Sequence, residues 1–420
     1  MINDRKNYST ESILAESVTI SNDTWQTHIN NNVLVVGPTG SGKTRNYVKP
    51  NIMQANTSMI ISDAKGSLYQ ECADYLKSHG YTVYKLDFVN MVSDIGYNPM
   101  HYIRMDPRTK RINEQDVMKL SEVIISDGSK TDPFWDMAAR FYLQSLLAYV
   151  LEELQPEEQT LDAAIRLMIA DEGNCFSSLM IQKREIDTNA LSVRRYNQFC
   201  SMGSADKMIH SILGVAVTNL SCFDFNSVAD IYRKPKLLDF SVFGKQKTAL
   251  FLTVSDTDRS MDKLINLFWT QALQELCLCA DRQPMHCLDV PVRLYLDDFA
   301  TNVYIPNFDK ISSNIRSREI YVSIILQSLS QLQALYGESR ANTIISNCDQ
   351  QLILGIQDTQ TAEFFAARAD RPRSYMMNMP LESCIVILRG QEAKVTKKYD
   401  ITSHEGYQEL LEYEHGELPF

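Results

Sequence analysis

The chain has 420 residues, with 41 Lys and Arg against 52 Asp and Glu and a formal net charge of −11. That length suggests two or three domains with ample core, and the negative balance excludes coating of a polyanion by the whole surface while leaving room for a local basic channel. No stretch is apolar for long enough to span a bilayer, the first 30 residues lack a signal-peptide core, and the 9 scattered cysteines fit a reduced compartment, not a disulfide framework.

Residues 1–30 are polar, with one weakly amphipathic piece near 13–15. The strand Val33-Leu34-Val35-Val36 then enters Gly37-Pro38-Thr39-Gly40-Ser41-Gly42-Lys43-Thr44, the G-x-x-x-x-G-K-T pattern of a phosphate-binding loop, and a helix-compatible segment leaves from Thr44. Glycines at 37, 40 and 42 let successive N–H groups turn inward toward phosphate oxygens, and the following helix adds the positive end of its dipole. Lys43 is placed for the β- and γ-phosphates of a nucleotide, and the Thr44 hydroxyl for Mg2+. Pro50 is expected to kink that helix or end its first part.

A strand at 59–61 ends in Ser62-Asp63-Ala64-Lys65-Gly66, followed by a helix over about 68–79 and an alternating strand at 81–84. This rhythm predicts an α/β fold, a mostly parallel sheet flanked by helices. Asp63 and Lys65 either lie on the sheet edge where ligands bind or simply begin the next helix.

From about residue 113 the strand signals vanish for far longer than a connection requires. Helical periodicity in Val117, Leu120 and Val123, in 134–154 introduced by Asp132-Pro133, in 161–169 capped by Thr160, and in 208–220 predicts an inserted all-α domain over 113–222. The sheet resumes at 250–254. A helix over 261–280, interrupted in its apolar character by Gln271, Gln274 and Glu275, precedes a strand at 292–296 that ends in Asp297-Asp298. Cys277, Cys279, His286 and Cys287 lie close together but match no zinc spacing.

A helix to about 316 leads to the strand 321–326, which finishes at Gln327; a strand at 351–356, a helix at 359–369 and a strand at 385–388 follow. The expected plan is an N-terminal segment (1–30), a nucleotide-binding domain (31–112 and 223–400), the helical insertion (113–222), and an acidic tail (401–420) expected to be disordered.

A phosphate loop needs an acid at the end of another strand to orient the metal and its water. Asp297 fits the metal-side carboxylate and Asp298 the base that polarises the attacking water; the plainer alternative is that the two acids cap the next helix. Gln327 stands where an amide can touch both the γ-phosphate and that water. Arg316 and Arg318, between the two strands, can each reach a nucleotide held by a neighbouring subunit as an arginine finger. Three basic patches (Arg104, Arg108, Lys110, Arg111; Lys183, Arg184, Arg194, Arg195; Arg368, Arg371, Arg373) are either polyanion contacts or solvated surface.

The loop at 37–44 followed by Pro50-Asn51, Ser62-Asp63-Ala64-Lys65-Gly66, Asp132-Pro133-Phe134-Trp135, Leu296-Asp297-Asp298-Phe299-Ala300, Arg316-Ser317-Arg318-Glu319, Ile325-Leu326-Gln327-Ser328 and Asn347-Cys348-Asp349 together resemble one family. It is the type IV secretion coupling proteins, the TraG/TraD kind of conjugative DNA-transfer ATPase. The resemblance implies a RecA-like P-loop NTPase with an inserted all-α domain, monomeric in isolation and assembled as a ring, typically a hexamer, with ATP and Mg2+ between subunits. It implies recruitment of DNA, single-stranded with an attached relaxase, to a type IV secretion channel. By motif, Lys43, Thr44, Asp297, Asp298 and Gln327 take the family's site roles, and Arg316 best matches its arginine finger.

Two departures matter. Most members carry an N-terminal membrane anchor that the polar first 30 residues do not supply, so the expectation is a cytoplasmic protein whose docking at the inner face of the membrane either comes from partners, such as a separate anchor subunit, or is absent. Asp298 stands where the family usually has Glu, and the shorter side chain is expected to slow hydrolysis. The alternatives are a nucleotide-gated adaptor with weak hydrolysis, or a secretion or packaging ATPase acting on protein or duplex DNA.

Overall fold

The computed structural model describes residues 11–126, 133–169, 174–203, 206–299 and 303–414. The chain folds as two compact units, one of residues 1–92, 239–257 and 273–420, the other of residues 93–238 and 258–272.

The first unit holds two sheets. β1 (Glu11–Ala15) and β2 (Val18–Ser21) form an antiparallel hairpin. The larger sheet has nine strands: β3 (Val33–Val36), β4 (Ser58–Asp63), β5 (Thr82–Asp87), β6 (Thr248–Thr253), β7 (Val292–Leu296), β8 (Ile320–Leu326), β9 (Gln350–Ile353), β10 (Ser383–Leu388) and β11 (Lys394–Lys397), in the order β11-β10-β9-β3-β8-β7-β4-β6-β5. Strands β3 to β9 pair in parallel, whereas β10 is antiparallel to both β9 and β11. Every residue of β3, β4, β6, β7, β8 and β9 is buried. Helices cover both faces of a parallel sheet, so these strands are mostly apolar, with buried polar exceptions such as Arg293, Gln350 and Gln351. The edge strand β11 is exposed and carries lysines, which discourage pairing with another chain.

One segment takes shape that the sequence left open, and one expectation fails. The weakly amphipathic piece near 13–15 belongs to strand β1; Ile13, Leu14 and Ala15 are all buried, and the Asn51 side chain ties the Ile13 N–H (2.9 Å) and C=O (2.8 Å) to the helix Lys49–Met53. The acidic tail is ordered as far as the structure describes it. Its helix Tyr407–Glu414 buries Leu410, and the Ser78 hydroxyl at the end of the helix Ser67–Ser78 donates to Glu409 (3.0 Å), so one apolar side chain and one carboxylate dock a segment that composition marks as solvated. Residues 415–420 lie outside the described residues.

Among its described residues the second unit is helical apart from two isolated bridges. Its helices are Glu114–Ile124, Pro133–Glu153, Leu161–Ile169, Asn174–Ile186, Leu191–Met202, Asp206–Leu220 and Asn226–Tyr232. Pro133–Glu153 is buried on nearly all sides, as an all-round apolar helix requires, and Tyr142 from it meets Phe199 (ring centroids 4.9 Å apart) and Phe176 (5.8 Å). The unit takes in 93–112 and 223–238 in addition to 113–222. These flanks have little secondary structure and join each other: the Gly96 N–H donates to Lys236 O and the Leu238 N–H to Gly96 O, both at 2.8 Å. Among the described residues no single helix is long and apolar enough to cross a membrane. Asp132 and Ala300, quoted above within two motifs, lie outside the described residues.

Candidate active site

Strand β3 delivers the chain to the phosphate loop, where the Gly37 N–H is anchored on Leu326 O of β8 at 3.1 Å. Gly40 and Gly42 turn through φ +78° and +90°, a left-handed backbone that side chains resist, and a Cβ on Gly42 would stand 1.9 Å from Asn46 Oδ1. The Ser41 N–H closes on Pro38 O (3.1 Å) and the Asn46 N–H on Gly42 O (2.7 Å). Among the described residues, the N–H groups of Thr39, Gly40, Gly42 and Lys43 have no acceptor, and Ser41 Oγ is buried without a hydrogen bond. A concave run of unpaired donors fits phosphate oxygens.

Lys43 curls over this loop, its Nζ donating to Gly37 O (2.8 Å) and Pro38 O (3.3 Å). Thr44 opens a π-helical turn, Thr44–Val48, closed by the Lys49 N–H on Thr44 O; the helix then tightens to α at Lys49–Met53. Pro50 falls in the first turn of that second part, where its missing N–H costs nothing. The Thr44 residue itself is exposed. The loop is braced from the far end of the chain: Lys398 Nζ donates to Ser41 O and Asn46 Nδ2 to Tyr399 O, each at 2.8 Å. Beside it opens a cleft of about 720 Å³, walled by Leu354, Met376, Met377, Leu381 and Tyr399.

The sheet order explains how distant residues meet. β8 lies between β3 and β7, and all three run parallel, so the loop after β3, Gln327 after β8 and Asp297-Asp298 after β7 share one sheet edge. Gln327 Nε2 donates to Asp298 Oδ1 at 3.3 Å, and the Asp298 N–H donates to Asp297 Oδ1 at 3.0 Å. Asp298 has φ +47°, unusual for a residue with a side chain and a sign of local strain. Burial pushes the Asp297 carboxyl up to about 6; the Asp298 and Asp63 charges add to this, while Lys43 opposes it. An acid in that condition attracts a cation.

Asp63, at the end of β4, caps the next helix and also lies on the same sheet edge as Asp297. Its carboxylate accepts the Tyr69 N–H at 2.9 Å in the first turn of the next helix, and it is buried close enough to Asp297 to raise that group's pKa. Burial also raises its own pKa.

Arg316 is not brought to this edge. It lies in the turn Arg316–Arg318 that precedes β8, hence at the opposite end of the strand from Gln327, roughly 20 Å away at 3.3 Å per residue. Its Nη2 donates to Thr24 O at 3.5 Å. Arg318 is engaged by Asp281 through two contacts, at 2.8 and 3.2 Å. The cysteine and histidine cluster forms no metal site among the described residues, and burial pushes the Cys277 thiol up to about 11.

Residues 3–369 match the family described as Type IV secretory system Conjugative DNA transfer. The chain belongs to that family. Among conjugative DNA-transfer proteins it is 25% identical to the VirD4 protein of Rhizobium radiobacter over 339 residues, covering 79% of this chain and 47% of VirD4. It is 23% identical to VirD4 of Rhizobium rhizogenes over 426 residues, covering 92% of this chain and 60% of that protein. The chain thus spans between 47% and 60% of the length of these curated relatives.

Its fold matches the plasmid coupling protein TrwB in complex with ADP and Mg2+, with TM-score 0.63, 16% identity, and coverage of 88% of this chain and 86% of TrwB. TrwB with the ATP analogue ADPNP gives TM-score 0.66 at 15% identity, covering 89% and 86%. The chain therefore has the RecA-like P-loop fold, with its mostly parallel sheet and helical unit.

Proposed function

We propose that this chain is an ATP-dependent coupling protein that moves DNA, single-stranded with a relaxase attached, toward a conjugative type IV secretion channel. The observation that carries this reading is the convergence of Lys43, Asp297, Asp298 and Gln327, from three parallel strands, beside a loop of unpaired N–H groups. The loop 37–44 binds the phosphates, and Lys43 exchanges its two loop carbonyls for phosphate oxygens. Thr44 and Asp297 hold Mg2+, which when bound neutralises charge on the transferring phosphoryl group. Asp298 accepts a proton from the attacking water, and Gln327, already bonded to Asp298, fixes its orientation. Arg316 serves a neighbouring subunit's nucleotide in a ring, in keeping with its place at the far edge of its own sheet. The helical unit meets the DNA substrate, and channel components and a membrane-anchor subunit supply docking at the inner face of the membrane.

The test is ATP turnover with and without DNA, with Lys43→Ala as control. Stimulation by DNA in the parent and loss of turnover in the variant support the motor; turnover indifferent to single-stranded and duplex DNA overturns it.

A nucleotide-gated adaptor is favoured by one observation, the short Asp298 carboxylate held by Gln327 on strained backbone. Asp298→Glu separates the two. A large rise in turnover supports the adaptor, and no gain supports Asp298 as a competent base.

A further inference from the structure

We propose that the hairpin spanning residues 105–112 is a contact for the phosphate backbone of nucleic acid, a statement that rests on the DNA-moving reading above. The three basic patches of the sequence fare differently once folded. Lys183 is paired with Glu153, Arg194 and Arg195 with Glu114, and Arg373 with Glu363, while Arg368 lies over the Phe364 ring. Of those two patches, the first keeps Arg184 and the second Arg368 and Arg371 without an ion pair among the described residues. In the remaining patch Arg104 is committed to Asp116, through Nε and Nη2 at 2.7 Å each. Arg108, Lys110 and Arg111 are exposed and have no ion pair among the described residues. They put three cations without an ion pair within four positions of a chain whose net charge is −11, with the Arg111 charge also acting on Asp106.

These cations sit on ordered backbone. Met105 and Ile112 form an antiparallel bridge, the Asp106 N–H donates to Arg111 O, and the Lys110 N–H donates to Asp106 O, both at 2.9 Å. Lys110 turns the chain at φ +56°. The one acid of the hairpin, Asp106, is occupied with the N–H groups of Arg108 (2.9 Å) and Thr109 (2.7 Å). Arg104 and Asn113 fix the base of the hairpin to the helix Glu114–Ile124: Arg104 through Asp116, and Asn113 by donating its N–H to Arg104 O (2.8 Å) while its side chain caps the helix.

A preformed turn presents its charges with little ordering cost on binding. The chemistry favours phosphate over a lipid surface, because the exposed tip, Pro107 to Arg111, carries no large apolar side chain to insert between lipids. It favours the backbone over base edges, because exposed cations on a short turn reach phosphates without entering a groove.

The experiment uses the full chain with Arg108→Ala, Lys110→Ala and Arg111→Ala combined, and reads the affinity for labelled single-stranded and duplex oligonucleotides across a salt series. Three phosphate contacts predict a slope of log K against log salt shallower by about 2 for single strands and about 3 for duplex, and affinity lower by roughly 100-fold near 0.1 M salt. Nucleotide binding, measured in parallel, stays at the parental value and shows that the fold is intact. A second variant, Arg108→Lys with Arg111→Lys, retains the slope. Parental affinity and slope in the triple variant overturn the proposal. So does loss of binding to phosphatidylglycerol vesicles with DNA binding unchanged, which would make the partner a membrane. A parent that binds no DNA overturns both this assignment and the DNA-moving function. A parent that binds DNA through the hairpin without faster ATP turnover overturns only the motor.

Discussion

Replacing Asp297 by Asn is expected to make the sheet unit more stable at neutral pH while removing ATP turnover. The carboxyl is held at about 6, against an ordinary 3.8, chiefly by burial and then by the Asp298 charge. The unfolded chain therefore gives up this proton near pH 4 and the folded chain near pH 6. Between those values the folded state binds more protons, so its stability falls as pH rises, and the loss is complete above pH 6. At about 1.4 kcal/mol for each pH unit between the two pKa values, ionised Asp297 costs the native state roughly 3 kcal/mol. Asparagine keeps an oxygen for the Asp298 N–H and carries no charge.

The variant should thus gain up to about 3 kcal/mol at pH 7.5 and nothing near pH 4. The assay is urea unfolding at both pH values, with hydrogen exchange of the β3, β7 and β8 amides assigning the gain to this unit. Added Mg2+ with nucleotide should narrow the difference, since a bound cation lowers the cost of the charge. A variant that is less stable than the parent at pH 7.5, or equally shifted at both pH values, refutes the reasoning.

Three other outcomes follow from particular contacts. Gly42→Ala places a methyl group against Asn46 Oδ1 on left-handed backbone; strain of about 1–2 kcal/mol should weaken nucleotide binding roughly 5- to 30-fold, read by calorimetry, and Asn46→Ala should not restore it because φ stays unfavourable. Leu410→Ala empties a fully buried position in the C-terminal helix and should cost about 2–5 kcal/mol in urea unfolding, with proteolysis beginning near residue 404. Arg316→Ala should leave nucleotide affinity of the isolated chain unchanged and lower turnover of the assembled ring on the order of 1,000-fold. Mixing it with Lys43→Ala subunits should return part of the activity, because each supplies what the other lacks.

Much of the fold and most of the site edge were legible because burial on both faces leaves an unmistakable trace. β3, β7 and β8 are mostly apolar runs, broken only by Arg293 and Ser323, that stop abruptly at Gly37, Asp297 and Gln327. What the sequence could not reveal was adjacency. Nothing in the residues says that β8 lies between β3 and β7, yet that order brings Gln327 to Asp298. Short edge elements were hidden for the opposite reason: β11 is four residues, mostly exposed, with lysines at both ends, and reads as loop. The tail helix was missed because its polar composition conceals one buried leucine. Asp63 was ambiguous because a carboxylate at a strand end can cap the next helix while its charge reaches the neighbouring strand end, as Asp63 does with Asp297.

The braces on the phosphate loop carry a consequence for the order of events during synthesis. Ser41 is held by Lys398, 357 positions later, and Asn46 by Tyr399, 353 positions later. A ribosome therefore makes the whole helical unit and both catalytic strands before the loop receives its last supports. Nucleotide cannot act as a scaffold for the early part of the nascent chain; it can only reward a molecule that is almost finished. Until then the loop and the apolar strands beside it depend on chaperones or on speed. A chain stalled before Lys398 would carry the residues of an ATPase without the frame that lets them hold phosphate.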